Sequence, residues 1–265
     1  MSKLSILVVS CDRYADVWLP FFTLFWKYWP DCPYSVYLGA NTKTYNDSRV
    51  KMVLTSKDHS WSESTRRMVE QMSDEYILIL LEDFLYLNPV NSSQIEECYQ
   101  AIQKLDGGYL RLKPFPKPDL QVCDYSMIGE IKTGAPYRAA LQASIWRKDI
   151  LLELLRDGET AWNMELNGSR RSDRIPERFF CVWKPVMNYR AGITLGKWTH
   201  FAVKICKKEG VSIDTSLRSV MTWNEDFRRC QRVFIGKCLN KISWKHRRVL
   251  GDFLRKLKLI PPKQL

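Results

Sequence analysis

The run Tyr76–Leu81 (YILILL), followed at once by Glu82 and Asp83, constrains this chain more than any other segment. Consecutive apolar residues without polar alternation call for burial on both faces, which is the environment of a strand inside a helix-covered parallel sheet. The run is far short of the roughly 20 residues that a membrane-spanning helix needs. The strand signal covers residues 76–87, and the two acids close its apolar half.

The flanking segments repeat the theme. LSILVVS (4–10) is a second unbroken apolar strand, and residues 35–40 and 50–56 are two more, divided by the polar loop 41–48. The N-terminal run is followed by Cys11-Asp12-Arg13 rather than by a small-residue cleavage site, so it reads as a strand and not as a signal peptide. Helices are expected at 15–29, with Trp18, Leu19, Phe22, Leu24, Phe25 and Trp29 largely at helical spacing, and at 62–72, with Met68, Val69 and Met72 inward. A third is expected at 91–105, capped by Asn91 or Ser92. The order β-α-β-β-α-β-α indicates an α/β layer with a mostly parallel sheet. After Gly107-Gly108 the pattern loosens: strands at 109–112 and 128–131 surround a proline-rich loop (114–119), a strand at 138–146 leads into a helix at 147–155, and 181–187 is the last strand.

Charge divides the chain in two. Residues 227–265 hold 12 Lys/Arg against one acid, Asp252, so this stretch carries +11 of the net +12 and residues 1–226 are nearly neutral. A nucleic-acid-binding surface would continue the basic patch over the body, so nucleic acid is not an expected partner. Interleaved apolar residues, with Gly236 and Gly251 as breaks, make 227–258 one or two amphipathic helices. Such a helix either packs its apolar side on the body or lies on anionic lipid. The domain division expected is 1–226, with a nucleotide-binding part to about 106 and an acceptor part from about 107, followed by a basic helical tail at 227–265. The eight cysteines show no CxxC pairing, and three dispersed histidines offer no metal centre, so reduced thiols in a cytosolic protein are expected.

Ligands of open parallel sheets bind off the carboxyl ends of the strands. That rule selects Asp12 and Arg13, Asn41, and above all Glu82 and Asp83. Adjacent carboxylates in apolar surroundings need a cation, either a hard metal ion or a nearby arginine such as Arg67, or a turn to cap.

The blocks SCDRYADVW (10–18), YILILLEDF (76–84), QASIWRKDILLELL (142–155), AWNMELNGSRRS (161–172) and NYRAGITLGKW (188–198) together resemble nucleotide-sugar-dependent glycosyltransferases of the GT-A fold. The subgroup is a bacterial one that works in surface-polysaccharide (capsule or lipopolysaccharide) biosynthesis, and the resemblance covers roughly residues 4–200. It implies a GT-A-like, Rossmann-like α/β sheet and transfer of a sugar from a nucleotide donor to a glycan acceptor, lipid-linked in such pathways. By the resemblance Asp83 and Glu82 would hold Mg²⁺ or Mn²⁺ against the donor diphosphate. Glu-Asp stands here where the family has two aspartates flanking a residue, which leaves open which acid is the ligand and whether a metal is required. Asp12, Arg13 and Asn41 would border the nucleotide, and Lys197 would close over its phosphates. Glu165 would be the catalytic base, with Glu159 and Glu177 as competitors, while Trp162, Arg170 and Arg171 would meet the acceptor. The enzyme would be cytoplasmic and peripheral, held to the anionic inner face of the cell membrane by its basic C-terminus.

Each assignment has a plainer counterpart: Asp12 as a turn cap, Lys197 and Glu165 as solvated surface groups, Arg170 and Arg171 as members of a salt-bridged helix, His200 as a structural residue. Two other classes compete with the transferase. A nucleotidyltransferase would want a glycine-rich loop after the first strand, where Ser10–Asp16 has none. A non-catalytic carbohydrate- or membrane-binding module would use the 33 aromatic residues and have no need of Glu82, Asp83 or Glu165.

Overall fold

A computed structural model describes residues 4–57 and 59–239, with 242, 246, 249, 250, 253 and 254 beyond them. The N-terminal half follows the expected alternation: β1 (Leu4–Val9), α1 (Ala15–Tyr28), β2 (Val36–Ala40), β3 (Val50–Leu54), α2 (Trp61–Glu70), β4 (Tyr76–Leu81), β5 (Phe84–Tyr86) and α3 (Ser92–Lys104). The second half adds β6 (Gly107–Arg111), β7 (Leu120–Val122), β8 (Tyr125–Ile131), β9 (Ser144–Arg147) and α4 (Lys148–Leu154). Two short helices, α5 (Ala161–Asn163) and α6 (Ser169–Arg171), flank a π-helical turn, Met164–Gly168. Then come β10 (Arg178–Val182), β11 (Tyr189–Ala191), β12 (Ile193–Thr194), β13 (Lys197–Trp198), α7 (His200–Lys208) and α8 (Trp223–Leu239).

Nine strands form one sheet in the order β3-β2-β1-β4-β9-β6-β10-β8-β7. Seven run in one direction and only β9 and β8 oppose them, so the fold is the mostly parallel mixed α/β sheet expected. The unbroken apolar strands are explained by helices on both faces. Leu4, Ile6 and Val8 with Tyr76, Leu78 and Leu80 meet α1 and α3, while Leu7 and Val9 with Ile77 and Ile79 meet α2 and α4. The side-chain period of two thus feeds two cores at once. Asn91 caps α3 as expected, accepting from the Ser93 and Gln94 N–H groups. No described helix is long and apolar enough to cross a membrane.

Several expected boundaries move. The long strand at 76–87 is two strands: the chain turns at Glu82-Asp83, where the Asp83 carbonyl accepts from Leu85 N (3.0 Å) and Gly192 N (2.7 Å), and β5 leaves to pair with β11. A Cβ on Gly192 would stand 2.8 Å from Leu85 Cδ1, so a larger residue here would push the Leu85 side chain aside. Gly107 and Gly108 are strand residues rather than a break, because a Cβ on Gly107 would meet the Phe180 ring at 2.6 Å. Of 138–146 only the end is extended, and this strand runs antiparallel between β4 and β6. The last strand expected at 181–187 lies at 178–182 and stops before Pro185. Leu19, expected inward, is 55% exposed, and Phe21 takes the buried place. In the basic segment α8 begins at Trp223 and continues through Gly236, and most of the second expected helix and its charges lie outside the described residues.

Candidate functional site

The carboxyl ends of β1, β2, β4 and β6 and the amino end of the reversed β9 share one edge of the sheet, and the chemistry-bearing side chains collect there. At the β1 end, Asp12 is committed to the neighbouring loop. Its Oδ1 accepts from the backbone N–H groups of Asn41 (3.0 Å), Thr42 (3.0 Å) and Lys43 (3.1 Å), and its Oδ2 accepts from the Thr42 hydroxyl (2.6 Å). Asn41 reciprocates, accepting from Asp12 N (2.9 Å) through Oδ1 and donating from Nδ2 to the Lys57 carbonyl (2.8 Å). Partial desolvation works to raise the Asp12 carboxyl, but these donors outweigh it and hold the group below its ordinary range. Asp12 and Asn41 therefore lace the ends of β1, β2 and β3 into a rigid rim, and Arg13 stands exposed beside them.

Glu82 and Asp83 sit in the turn between β4 and β5, each half-buried. Desolvation, reinforced by the neighbouring Asp83 charge, pushes Glu82 up to about 8. Desolvation likewise lifts Asp83 to about 6, against the opposing pull of the Ile193 N–H, 3.4 Å from its Oδ2. The cation facing this pair is Arg218, not Arg67, which is paired with Glu63 on its own helix. Arg218 Nε and Nη2 make a two-point pair with Asp16 (2.8 and 2.9 Å), Nη1 donates to the Gly196 carbonyl (3.0 Å), Nη2 also to the Arg13 carbonyl (2.9 Å), and the guanidinium lies 4.3 Å over the Tyr14 ring. One guanidinium thus serves Asp16 while also facing Glu82 and Asp83.

The donor set fits a hard divalent ion in a specific sense. Among the described residues no three His, Cys, Asp or Glu side chains are grouped as a protein-only cage requires. Two adjacent, partly solvated carboxylates are what Mg²⁺ takes when substrate phosphates and water complete its shell.

From the acids the edge continues through Tyr189. Its ring stacks on Phe84 (4.1 Å), its hydroxyl accepts from Ala143 N (2.8 Å) and donates to Gln142 Oε1 (2.9 Å), and the Lys113 ammonium lies 4.1 Å over the ring. Next comes Arg111, fully buried at the end of β6, donating to the Tyr137 carbonyl (3.0 Å). Glu165 follows, on the π-helical turn, with Oε1 accepting from Leu141 N (2.7 Å). Burial raises the Glu165 carboxyl, while the Leu141 N–H and the Arg111 charge oppose the shift. Its competitors are occupied: Glu159 is paired with Arg171 (2.6 Å) and Glu177 with Arg147 (2.6 Å). Glu165 alone of the three accepts from a backbone N–H at this edge and has no ion-pair partner among the described residues. π-turns recur at functional sites because the extra residue re-aims side chains.

The remaining expected residues separate into open and committed ones. Trp162 is 51% exposed, three residues before Glu165, and Arg170 is exposed. Arg171 is tied to Glu159 and to the Leu154 carbonyl (2.6 Å), a structural brace between α6 and α4. Lys197 is paired with Glu225 of α8 (2.7 Å). His200 stacks on Trp223 (3.8 Å) away from the acids' hydrogen-bond network, in a structural role. Sequence reasoning missed Asp16, Arg111, Tyr189 and Arg218. A charge inside the apolar strand YLRL was a readable signal for Arg111, whereas Arg218 and Asp16 meet across 202 positions with no local signature.

No family model and no curated protein matches the chain. Solved structures do. Residues 1–349 of TarS from S. aureus in complex with UDP-GlcNAc match 96% of this chain and 72% of theirs, at 14% identity and a TM-score of 0.49. UDP-glucose pyrophosphorylase complexed with UDP-glucose matches 72% of this chain and 92% of its own, at 11% identity and a TM-score of 0.46. A putative nucleotide-diphospho-sugar transferase from Desulfovibrio desulfuricans G20 matches 66% and 76%, at 8% identity and a TM-score of 0.40. Several chains similar to this one are thus nucleotide-sugar proteins by name.

Proposed function

We propose that this protein is a nucleotide-sugar-dependent glycosyltransferase that extends a lipid-linked glycan in bacterial surface-polysaccharide synthesis. The observation that carries the reading is the pairing, along one sheet edge, of a diacid turn (Glu82, Asp83) with a separate carboxylate, Glu165, that has no ion-pair partner among the described residues, with Tyr189 and Arg111 between them. A binding module needs neither feature, and both are costly to maintain.

In this reading Asp83, with Glu82 beside it, holds Mg²⁺ or Mn²⁺ against the donor diphosphate. The bound ion supplies Lewis-acid stabilisation of the departing nucleoside diphosphate. Asp12 and Asn41 shape the rim of the nucleotide pocket, and Arg13 lies on its open side. Lys197 contacts phosphate only by exchanging its Glu225 partner. Glu165, as the carboxylate, takes the proton of the attacking sugar hydroxyl; its raised pKa makes it a stronger base than an ordinary glutamate. Trp162 offers a ring face to the acceptor sugar, and Arg170 a charge to an acceptor phosphate, while Arg171 positions their helix. The basic C-terminus holds the protein to the anionic inner face of the membrane, where a lipid-linked acceptor resides.

Isothermal calorimetry with UDP, GDP, CMP and dTDP, with and without Mn²⁺, tests the donor half. Metal-dependent binding of one nucleotide, lost in Asp83→Ala, is the expected result. Absence of binding to all of them by folded protein would refute it.

A further inference from the structure

Exposed large apolar side chains are not scattered evenly over this molecule. Of the 12 among the described residues, eight lie after residue 194. On α8, Trp223 (76% exposed), Phe227 (63%) and Phe234 (67%) follow a spacing of four and seven, which places them on one helix face. Trp223 rests one ring face on His200 (3.8 Å), and the stripe otherwise faces out. Interleaved on the same helix are Arg228 and Arg232, at the start of the stretch that carries +11, and Arg229, which is paired with Asp226 (2.7 Å).

The exposed residues extend beyond α8 to the diacid edge. Leu195 (59% exposed) is at the tip of the β12–β13 turn, and Leu217 (74%) precedes Arg218. Two contacts fix these pieces together, Arg218 donating to the Gly196 carbonyl and pairing with Asp16, and a more exposed pair, Lys197 with Glu225, links them to the first turn of α8. The apolar tips are therefore attached to the elements that carry Asp16 and surround Glu82 and Asp83.

We propose that Leu195, Leu217 and the Trp223–Phe227–Phe234 face of α8 form a bilayer-inserting platform that seats the diacid edge of the sheet against an anionic membrane. Aromatic residues settle at the boundary between headgroups and acyl chains, and flanking arginines meet lipid phosphates. The net positive charge selects lipid over an apolar protein partner: a second copy of this chain would bring like charge to the same surface. This deepens the membrane partner in the reading above and rests on it in that respect. It differs from a basic tether, which holds a protein near a membrane without fixing how it faces.

Co-sedimentation of the full chain with phosphatidylcholine vesicles, with and without phosphatidylglycerol, tests the platform. Wild type should bind the anionic vesicles and keep part of that binding when NaCl rises from about 0.1 to about 0.5 M, because salt screens charge and not apolar burial. Phe227→Ala/Phe234→Ala, which changes no charge, should lower the partition coefficient by at least about tenfold. Leu195→Asn/Leu217→Asn, outside the basic stretch, should also lower it, by about threefold. All four side chains are exposed, so the variants should keep the wild-type melting curve. Binding that salt abolishes and the neutral variants leave unchanged would overturn the platform in favour of a tether. No vesicle binding, or a dimer that Phe227→Ala/Phe234→Ala dissolves, would overturn it as well. Nucleotide calorimetry on the same samples is independent of vesicles, so failure here is distinct from failure of the transferase reading.

Discussion

Replacing Arg218 tests whether the segment after α7 is fastened to the diacid edge. The Arg218 and Asp16 side chains are only 10% and 8% exposed, and their two-point contact is joined by bonds to two backbone carbonyls and by the Tyr14 ring. Arg218→Met keeps most of the stem and removes every donor, leaving Asp16 beside Glu82 and Asp83 without its partner. Breaking one side of a buried pair costs about 3–5 kcal/mol, which for a domain of this size lowers Tm by roughly 10 °C. Asp16→Asn alone strands the guanidinium instead, and the double variant strands neither. The double-mutant cycle in urea should therefore give a coupling energy of at least about 2 kcal/mol, whereas unconnected sites add within about 0.5 kcal/mol. A built-in comparison is Lys197→Met: that pair is 37% and 39% exposed and should cost no more than about 1 kcal/mol. Arg218→Met within about 1 kcal/mol of wild type, or an additive cycle, would refute the argument that this arginine fastens the edge.

Gly107→Ala should destabilise by about 1–3 kcal/mol in urea melts, because its Cβ would enter the Phe180 ring at 2.6 Å; an unchanged midpoint would mean the strands sit further apart. Glu165→Gln keeps the acceptor for Leu141 N and should leave the fold intact, yet lower turnover of the matched donor by about 10²–10⁴-fold. Burial raises the Glu165 pKa above 4.5 and the base works deprotonated, so wild-type activity should fall as pH drops through a midpoint above that value, measured as kcat/KM against pH. Thiol labelling of the native protein should be fast at Cys123, Cys230 and Cys238, which are exposed, and slow at the buried Cys98, Cys181 and Cys206.

How far the fold was legible differs between the two halves for a physical reason. Through α3 each strand is an apolar run buried on both faces and each helix has one inward stripe, so periodicity alone separates them. Past Gly107 the reversed strands β9 and β8 break the β-α rhythm. At Gly107 glycine marks close packing rather than a turn, and a reader of local pattern has no way to distinguish the two uses. The short strands β11 to β13 owe their existence to contacts with Asp83 and with residues 219–221, far away in sequence. Glu82 and Asp83 were legible because two acids after an apolar run are expensive anywhere. Glu165 was reached through resemblance, since the π-turn that aims it leaves no trace in the residue pattern.

The pairings that were not legible bear most directly on function. Arg218, Asp16, Lys197 and Glu225 join a nearly neutral α/β body to the aromatic helix that opens the basic C-terminal stretch, and they do so beside Glu82 and Asp83. In the proposed reading, an enzyme whose acceptor is soluble gains nothing from fastening a membrane-facing helix there. One whose acceptor is anchored in a bilayer must bring the diacid turn and Glu165 within reach of the membrane surface at the same time, and attachment of the helix beside the strand ends serves this. In the proposed reading, the Lys197–Glu225 pair ties α8 to the β12–β13 turn and Arg218 ties that turn to Asp16, so the seating of the helix and the surroundings of Glu82 are connected by two ion pairs.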